Sequence, residues 1–291
     1  MKPSPLRYER PATVAEAAAV LGEHGWDAKA LAGGQSLMPL VNLRLAAPAV
    51  VVDLNRVPGL DGIEAAEGEL RVGALVRQRA LERHPETRER CRLVAAALPY
   101  VGHVATRNRG TVGGSLAHAD AAAELPVCLL ALDGTVVVEG RAGRRRIPAG
   151  DLFVTHLTSS LQPDEVLVEA RFPLDAPGTG VGFEEVTSRH GDYGFAIVAC
   201  TLRVRDGSVA TARIAAGAVA DRPVLLAAAA AALVGGPLDD DRLAAAAEAA
   251  RAAVDPTDGL HAPAAYRRHL VGVLVQRAAR RAWADAGERA A

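Results

Sequence analysis

Aromatic side chains are scarce in this sequence, and its charges are nearly balanced. Only 3% of the 291 residues are aromatic, and 33 basic side chains stand against 34 acidic ones. Such a chain offers few stacking surfaces for bases and no net field that would attract nucleic acid or an anionic membrane. The composition therefore argues against nucleic-acid binding.

Long apolar runs are also lacking. No stretch reaches the roughly 20 consecutive apolar residues that a membrane-spanning helix needs. The first residues, MKPSPLRYERPATVAEAA, contain no apolar core of signal-peptide length. We therefore expect a soluble, cytoplasmic protein with no membrane span.

Metal-binding patterns are missing as well. Cys91, Cys128 and Cys200 lie far apart and form no CxxC pair, which suits neither a disulfide framework nor a zinc or iron–sulfur site. We expect buried, reduced thiols. His118 and Asp120 share one side of a predicted helix with Glu124 only loosely, so polar groups facing solvent or a cofactor are favoured over metal ligands. Any metal chemistry must come from another chain.

The length favours two domains over one continuous domain, because single domains usually contain roughly 100–200 residues. The Pro- and Gly-rich stretch at residues 173–180 is the best candidate boundary. We therefore expect domains at residues 1–175 and 176–291.

The first of these regions reads as a mixture of short elements. Thr13 and Glu16 have capping-box spacing for a helix that ends near Gly22 or Gly25. A loop is predicted at residues 106–115. Strands are predicted at residues 28–31, 50–54, 70–75, 135–139 and 166–172, and further helices at residues 76–83, 89–98 and 116–130.

The second region reads as strands followed by helices. Asp206-Gly207 is a strong hairpin turn between two runs of strand character. The pattern predicts an α+β domain in which a three-stranded antiparallel sheet is packed with helices. The strands are expected at residues 181–188, 195–205 and 209–219, and Ala-rich, tightly packed helices at residues 223–234, 239–254 and 262–286.

Two glycine pairs with flanking hydroxyls are the best candidates for a binding site. Paired glycines let successive backbone N–H groups converge on phosphate oxygens, and a following helix N-terminus adds dipole attraction. Two such loops could close on a diphosphate from both sides, although each pair could also be a tight turn. The first glycine motif is Ala32, Gly33, Gly34, Gln35 and Ser36, and the second is Thr111, Val112, Gly113, Gly114 and Ser115.

Motifs for the usual competing chemistries are absent. The sequence contains no GxGxxG, no GxxxxGK[ST], no HExxH and no GxSxG. Rossmann-type dinucleotide binding, P-loop phosphoryl transfer, zinc proteolysis and serine-hydrolase chemistry therefore lack their usual support.

Three long segments carry a specific resemblance. Residues 31–39 (LAGGQSLMP) with VVDL at 51–54, residues 106–120 (TRNRGTVGGSLAHAD) with ELP at 124–126, and residues 182–193 (GFEEVTSRHGDY) occur in this order. The chain resembles the FAD-binding medium subunits of molybdenum hydroxylases, the family of xanthine oxidase and carbon monoxide dehydrogenase. The resemblance covers nearly the whole sequence.

This resemblance implies a fold and a set of cofactor contacts. The fold would be a two-subdomain FAD-binding domain of the vanillyl-alcohol-oxidase (PCMH) type, with a C-terminal domain packed over the flavin. The two glycine motifs would hold the pyrophosphate, and Glu124 would bind the ribityl region. Leu161 and Tyr193 would lie against the isoalloxazine, although Tyr193 could equally pack at a strand edge. No residue of this chain is expected to act as acid or base on the substrate.

The sequence departs from the family at a few positions. Ser115 replaces a common Asn and Ala121 a common Pro, while Glu184 and Glu185 occupy a stretch where relatives often carry a Lys near the flavin. A lost positive charge would make the reduced, anionic flavin less favourable, so we expect an altered redox potential.

The function implied by the resemblance is that of an electron-transfer subunit. A large partner would carry the molybdenum cofactor and a small partner 2Fe-2S clusters, and FAD in this chain would pass electrons to NAD, oxygen or a quinone. A dimer of heterotrimers is expected. The alternatives are a free-standing FAD-dependent reductase of the same fold and a non-redox binding or assembly module.

Overall fold

A computed structural model describes residues 2–288 of this chain. Short strands and helices are interspersed as far as β10, and the last three helices follow all the strands. The strands are β1 Arg7–Glu9, β2 Ala28–Leu31, β3 Val50–Asp53, β4 Ile63–Ala66, β5 Glu69–Gly73, β6 Thr135–Gly140, β7 Gly143–Pro148, β8 Phe153–Thr155, β9 Thr158–Ser159, β10 Val166–Pro173, β11 Thr179–Thr187, β12 Gly194–Arg205, β13 Ser208–Gly217 and β14 Val224–Leu225. The helices are α1 Val14–His24, α2 Leu37–Asn42, α3 Gln78–Arg83, α4 Pro85–Arg90, α5 Arg92–Ala97, α6 Val104–Arg109, α7 Val112–His118, α8 Glu124–Ala131, α9 Ala149–Leu152, α10 Ala227–Leu233, α11 Asp240–Ala252 and α12 Ala264–Glu288.

The first sheet is small and parallel, with the order β1-β3-β2. Thr13 caps α1 by accepting a hydrogen bond from the N–H of Glu16 at 3.1 Å, and a side-chain oxygen of Glu16 accepts from the N–H of Ala12 at 2.7 Å. The helix ends at Gly25, whose φ is 54°. Both predicted helix signals are therefore confirmed, and β2 lies where the sequence predicts a strand.

The second sheet is antiparallel and contains five strands in the order β4-β5-β10-β6-β7. Helix α8 is buried along its whole length between this sheet and the C-terminal sheet. The three cysteines are buried and unpaired, as predicted. This layer carries the main core of the N-terminal region.

The third sheet has the order β11-β12-β13-β14, and all its neighbouring strands run antiparallel. Its two faces serve different layers, because side chains alternate along a strand. Val181, Phe183 and Ile197 pack on the N-terminal core, whereas Val198 and Cys200 pack under the C-terminal helices.

Helix α12 lies in direct backbone contact with β11. A Cβ added at Gly180 would lie 1.8 Å from the carbonyl oxygen of Ala282, and one added at Gly182 would lie 2.0 Å from that of Ala278. Glycine on the strand and alanine on the helix permit this approach. The interpretation of the Ala-rich segments as tight packing is consistent with these contacts.

The segment around the second glycine motif differs from the prediction. Helices α6 and α7 occupy most of the predicted loop at 106–115, and the predicted helix at 116–130 is broken. Thr111 caps α7 by accepting from the N–H of Gly114 at 3.0 Å, so the helix starts at Val112. Ala119 then adopts a left-handed backbone with φ 53° and ends it. Residues 119–123 connect α7 to α8.

Several short elements were also missed. The C-terminal sheet has four strands rather than three, because Val224 and Leu225 pair with Ala216 and Ala215, and α10 consequently starts at Ala227 and not at 223. Strand β7 is largely exposed and rich in arginine, so it shows no apolar alternation. Strands β1 and β4 are only three and four residues long.

A buried arginine joins the two halves of the chain. Arg92, 7% exposed, donates from Nε to Asp175 at 2.7 Å and from a terminal nitrogen to the carbonyl oxygen of Thr179 at 2.6 Å. It also pairs with Asp285 of α12, which accepts from the N–H of Val181 at 2.9 Å. One guanidinium therefore links α5, the segment after β10, β11 and α12.

Replacing Arg92 with Ala should lower the free energy of unfolding by about 3–5 kcal/mol, because it leaves the buried carboxylate of Asp175 without the guanidinium that pairs with it. Urea denaturation monitored by circular dichroism would measure this loss. Arg90→Ala is the matched control: its exposed pair with Glu86 is worth about 0.5 kcal/mol. Equal stability of the two variants would contradict the role given to Arg92.

Candidate FAD-binding site

The two glycine motifs meet in space although they lie about 80 residues apart in sequence. A Cβ added at Gly33 would lie 2.4 Å from the carbonyl oxygen of Arg109 and 2.8 Å from the Cα of Gly110. A Cβ added at Gly114 would lie 3.6 Å from the Cβ of Ala32. The first motif is thus seated against the N-terminus of α7.

The first motif presents unused backbone donors. Within the described part of the chain, the N–H groups of residues 33–36 make no hydrogen bond to a protein acceptor. Gly34 has φ +71°, a conformation that glycine adopts without strain. The residues are half-buried or exposed. This arrangement of consecutive free N–H groups fits an anion such as a phosphate.

The second motif is built differently from the expected cradle. The N–H groups of Val112 and Gly113 donate to the carbonyl oxygens of Val76 and Ala74, at 3.0 and 2.9 Å. The N–H of Ser115 donates to the carbonyl oxygen of Thr111 at 3.1 Å. A Cβ at Gly113 would lie 2.5 Å from the Cβ of Ala74, so this glycine serves close packing on the end of β5. What the motif offers a ligand is the half-buried surface of Gly114 and Ser115, with the Ser115 hydroxyl.

A polar network that the sequence did not reveal holds the motifs together. The side-chain amide of Asn55 donates to the carbonyl oxygen of Ala32 at 2.9 Å. Arg77 donates to the Asn55 side-chain oxygen and to the carbonyl oxygen of Arg109, each at 2.7 Å. Asn55 and Arg77 therefore bridge the first motif and the segment before the second.

Asp53 anchors this network. Its carboxylate accepts from the Asn55 side chain at 2.6 Å and from the hydroxyl of Tyr8. Burial alone would raise the pKa of Asp53, but the hydrogen bonds from Tyr8 and Asn55 outweigh it and hold the pKa below its usual value. The carboxylate stays charged, so Asn55 keeps its orientation. The only sequence signal was the VVDL segment ahead of Asn55.

Positive charge accompanies the network. Burial lowers the pKa of the Arg77 guanidinium, and the nearby charge of Arg109 lowers it further. Two guanidinium groups near the open donors of the first motif would favour an anionic ligand there.

Glu124 lies at the other end of α7, past the connection at residues 119–123. It is 8% exposed and is the first residue of α8. Burial raises the pKa of Glu124 to about 7, its own backbone N–H lowers it, and Asp120 raises it. A buried carboxyl of this kind suits hydrogen bonding to polar hydroxyls of a bound molecule.

Tyr193 and Leu161 occupy different surroundings. Tyr193 precedes β12 and is 66% exposed, so it is not a packed core residue at the strand edge. Desolvation of its hydroxyl and the charges of Asp120 and Glu124 raise the pKa of Tyr193, which places it near the start of α8. Leu161 follows β9, a strand beside α7, and packs partly on the N-terminal core.

Together these residues fit an elongated ligand with a phosphate at one end. The free N–H groups lie at the start of α7, which rises about 10 Å over its seven residues. Glu124 and Tyr193 lie beyond its far end. FAD has this layout, with a pyrophosphate joined through a ribityl chain to a flavin ring.

Residues 2–288 contain neither a metal-binding cluster nor a membrane-spanning helix. Within that range, no group of three or more His, Cys, Asp or Glu side chains is arranged to hold a metal ion. None of the helices described there has the length and apolarity needed to cross a bilayer.

Two protein families match this chain in succession. Residues 4–175 match the FAD binding domain in molybdopterin dehydrogenase. Residues 182–282 match the CO dehydrogenase flavoprotein C-terminal domain. The first match alone covers more than half of the chain.

Individual relatives extend the match to almost the whole length. The 6-hydroxypseudooxynicotine dehydrogenase complex subunit alpha of Paenarthrobacter nicotinovorans is 39% identical over 95% of this chain and 94% of its own. The carbon monoxide dehydrogenase medium chain of Hydrogenophaga pseudoflava is 36% identical over 98% of this chain and 99% of its own. A solved structure of carbon monoxide dehydrogenase from Hydrogenophaga pseudoflava, which lacks the Mo-pyranopterin moiety of the molybdenum cofactor, contains a chain with a TM-score of 0.96 at 38% identity, covering 98% of this chain and 99% of that one. This chain therefore belongs to the FAD-binding medium subunits of the molybdenum hydroxylase family of oxidoreductases.

Proposed function

We propose that this protein is the electron-transfer subunit of a heterotrimeric molybdenum hydroxylase. FAD bound to it would receive electrons from 2Fe-2S clusters of a small partner subunit and deliver them to a terminal acceptor such as NAD, oxygen or a quinone. The observation that supports this most is the meeting of the two glycine motifs, with unused N–H groups at residues 33–36.

The residues of this chain have binding roles in this proposal. The first motif would hold the pyrophosphate through its N–H groups and the Ser36 hydroxyl, and the second through Gly114 and the hydroxyl of Ser115. Arg77 and Arg109 would add positive charge. Glu124 would bind the ribityl chain, and Leu161 and Tyr193 would lie against the isoalloxazine.

Flavin suits such a role because it exchanges electrons singly and in pairs, and so connects one-electron carriers to two-electron acceptors. The substrate would be oxidised on a large partner subunit that carries the molybdenum cofactor. None of the residues that we assign to the site is asked to act as acid or base on that substrate. We further propose a domain boundary near residue 175, a cytoplasmic location and a dimer of heterotrimers, since oligomers favour closed symmetry.

Two other functions would use the same fold. A free-standing reductase would oxidise or reduce its own substrate without partner chains. A binding or assembly module would hold FAD without useful redox exchange. The subunit model is favoured because relatives that match over nearly their full length are named as a complex subunit and a medium chain.

The purified chain should show flavin absorbance bands and release FAD on denaturation. Gly33→Ala should weaken FAD binding by roughly 10- to 100-fold, because a methyl group 2.4 Å from the Arg109 carbonyl oxygen separates the motifs and overpacking costs about 1–3 kcal/mol. Titration of the FAD-depleted chain with FAD would measure this.

Gly62→Ala is the control for that substitution, because a Cβ there has no atom within 4 Å. Its FAD affinity should match the wild type. A colourless wild-type protein that takes up no added FAD would rule out the proposed site.

Isolation of the tagged chain from its native cells should yield two companion polypeptides, together with molybdenum and iron in the complex. The chain produced alone should contain FAD and no metal, and should hydroxylate no substrate that the complex hydroxylates. Metal analysis and gel filtration would measure composition and size. Hydroxylation by the chain alone would reject the subunit model.

A further inference from the structure

Two adjacent glutamates on β11 face opposite sides of the C-terminal sheet. Glu184 points toward the helical layer, where its carboxylate pairs with Arg281 of α12. Glu185 lies on the opposite face of the strand, the same face as Val181 and Phe183, which pack on the N-terminal core. Glu185 therefore lies between the sheet and the N-terminal region.

The Glu185 carboxyl has no partner there. Both of its oxygens are buried, and neither has a hydrogen-bond partner among the described residues. On the neighbouring strand it is registered with Ile197, and a Cβ added at Gly194 would lie 3.1 Å from its Oε1. A buried polar group left unpaired is costly, so this carboxyl needs a separate explanation.

The titratable groups around Glu185 are mostly acidic or neutral. In addition to burial, the negative charge of Glu124, on α8, raises the pKa of Glu185. Asp120 has the same effect on Glu124, and burial and both carboxylates raise the pKa of Tyr193, which lies just before β12. Tyr100 contacts Phe183 of the same row with its ring. The nearest cation acting on Glu124 is Arg107, whose guanidinium is held by Glu82 at 2.8 Å. Glu124 is the charged group that acts on Glu185. Two histidines lie in the same neighbourhood: the His190 ring centroid is 6.3 Å from that of Tyr100, and His118 interacts with Asp120.

Such a carboxyl keeps its proton in neutral solution. Burial, together with the charge of Glu124, raises the pKa of Glu185 to about 9, and burial raises that of Glu124 to about 7. Two buried carboxyls that interact do not readily ionise together. A proton on a Glu185 oxygen also supplies a donor that the residue otherwise lacks.

The pair lies close to the residues that the proposed function assigns to the ribityl chain and the flavin ring. Helix α7 leads from the second glycine motif to the connection at residues 119–123, and Glu124 follows at once. Tyr193 and Gly194 flank the same place from the C-terminal side, and the N–H of Ala218 donates to the carbonyl oxygen of Ala121 at 2.7 Å. Glu185 therefore lies near Glu124 and next to the Tyr193-Gly194 segment, between the C-terminal sheet and the N-terminal region.

We propose that Glu185, paired with Glu124, holds a proton beside the flavin site and exchanges it in step with the redox state of the flavin. This inference rests on the proposed function. In neutral solution Glu185 keeps its proton in both redox states. At a pH above its pKa of about 9, where it is a carboxylate in the oxidised protein, the arrival of two electrons from the small partner subunit, or from dithionite in vitro, makes it take one proton from solvent and form an O–H bond. When the electrons leave to the acceptor, that proton returns to solvent. The proton offsets part of the negative charge that reduction adds at the flavin site.

The test is the pH dependence of the FAD midpoint potential in the full chain, measured by dithionite titration from pH 6 to 10.5. Above about pH 9, reduction of the wild type should take up one more proton than reduction of Glu185→Gln. Each pH unit is a tenfold change in proton concentration. For a two-electron couple, uptake of one extra proton therefore makes the wild-type plot of midpoint potential against pH steeper by about 30 mV per pH unit. Glu184→Gln is the matched control and should keep the wild-type slope.

Glu124→Gln gives a second check, because removing the neighbouring charge lowers the pKa of Glu185 and should move the change in slope to lower pH. Identical slopes in the wild type and Glu185→Gln over the whole range would overturn the inference. The inference would also be overturned if the slope of midpoint potential against pH changed at the same pH in Glu124→Gln as in the wild type.

Unfolding of the FAD-free chain separates this inference from the proposed function. The folded-state pKa of Glu185 is raised, so its contribution to stability is complete below pH 4.5 and is lost as the pH rises toward 9. Glu185→Gln should therefore unfold at a higher temperature than the wild type at pH 9, with a smaller difference at pH 5. Failure to bind FAD would reject the proposed function. FAD binding with this stability pattern but unchanged slopes would reject only the redox role.

Discussion

The close approach of two backbone segments, at residue 33 and at residues 109–110, is the constraint on which the site depends. It leaves no room for a Cβ at Gly33. Asn55 and Arg77 hold the two segments in place by donating to carbonyl oxygens on both. The carbonyl oxygens of Ala32 and Arg109 already accept hydrogen bonds from these two side chains. The N–H groups of the first motif are therefore not needed as their donors and remain free for a ligand. Binding capacity here results from how the other polar groups are satisfied.

Local chemistry made much of this arrangement predictable. The Thr13 cap, the Asp206-Gly207 turn and the strands on either side of that turn depend on residues near one another in sequence. The glycine motifs could be located for the same reason. The pattern of the two motifs already suggested that both could close on one diphosphate, and the family resemblance then implied that this ligand is FAD.

Other features depend on long-range contacts and could not be predicted. Arg77 acquires its role only because residues 55 and 109 approach it in space. The break at Ala119 contradicts the high helix propensity of alanine, and tertiary contacts override that propensity. The burial of Glu185 requires knowing which face of β11 turns toward the N-terminal core. The second motif showed that a glycine pair can serve packing as well as anion binding.

The contact between β11 and α12 also affects how the protein is made. Gly180 and Gly182 lie against carbonyl oxygens of α12, and Val198 and Cys200 on the same face of the sheet pack under the C-terminal helices. Residues 264–288 are translated well after the strands they cover. During synthesis the apolar underside of the sheet therefore stays exposed until the last helix docks. The nascent chain has a period of aggregation risk that the finished protein does not have.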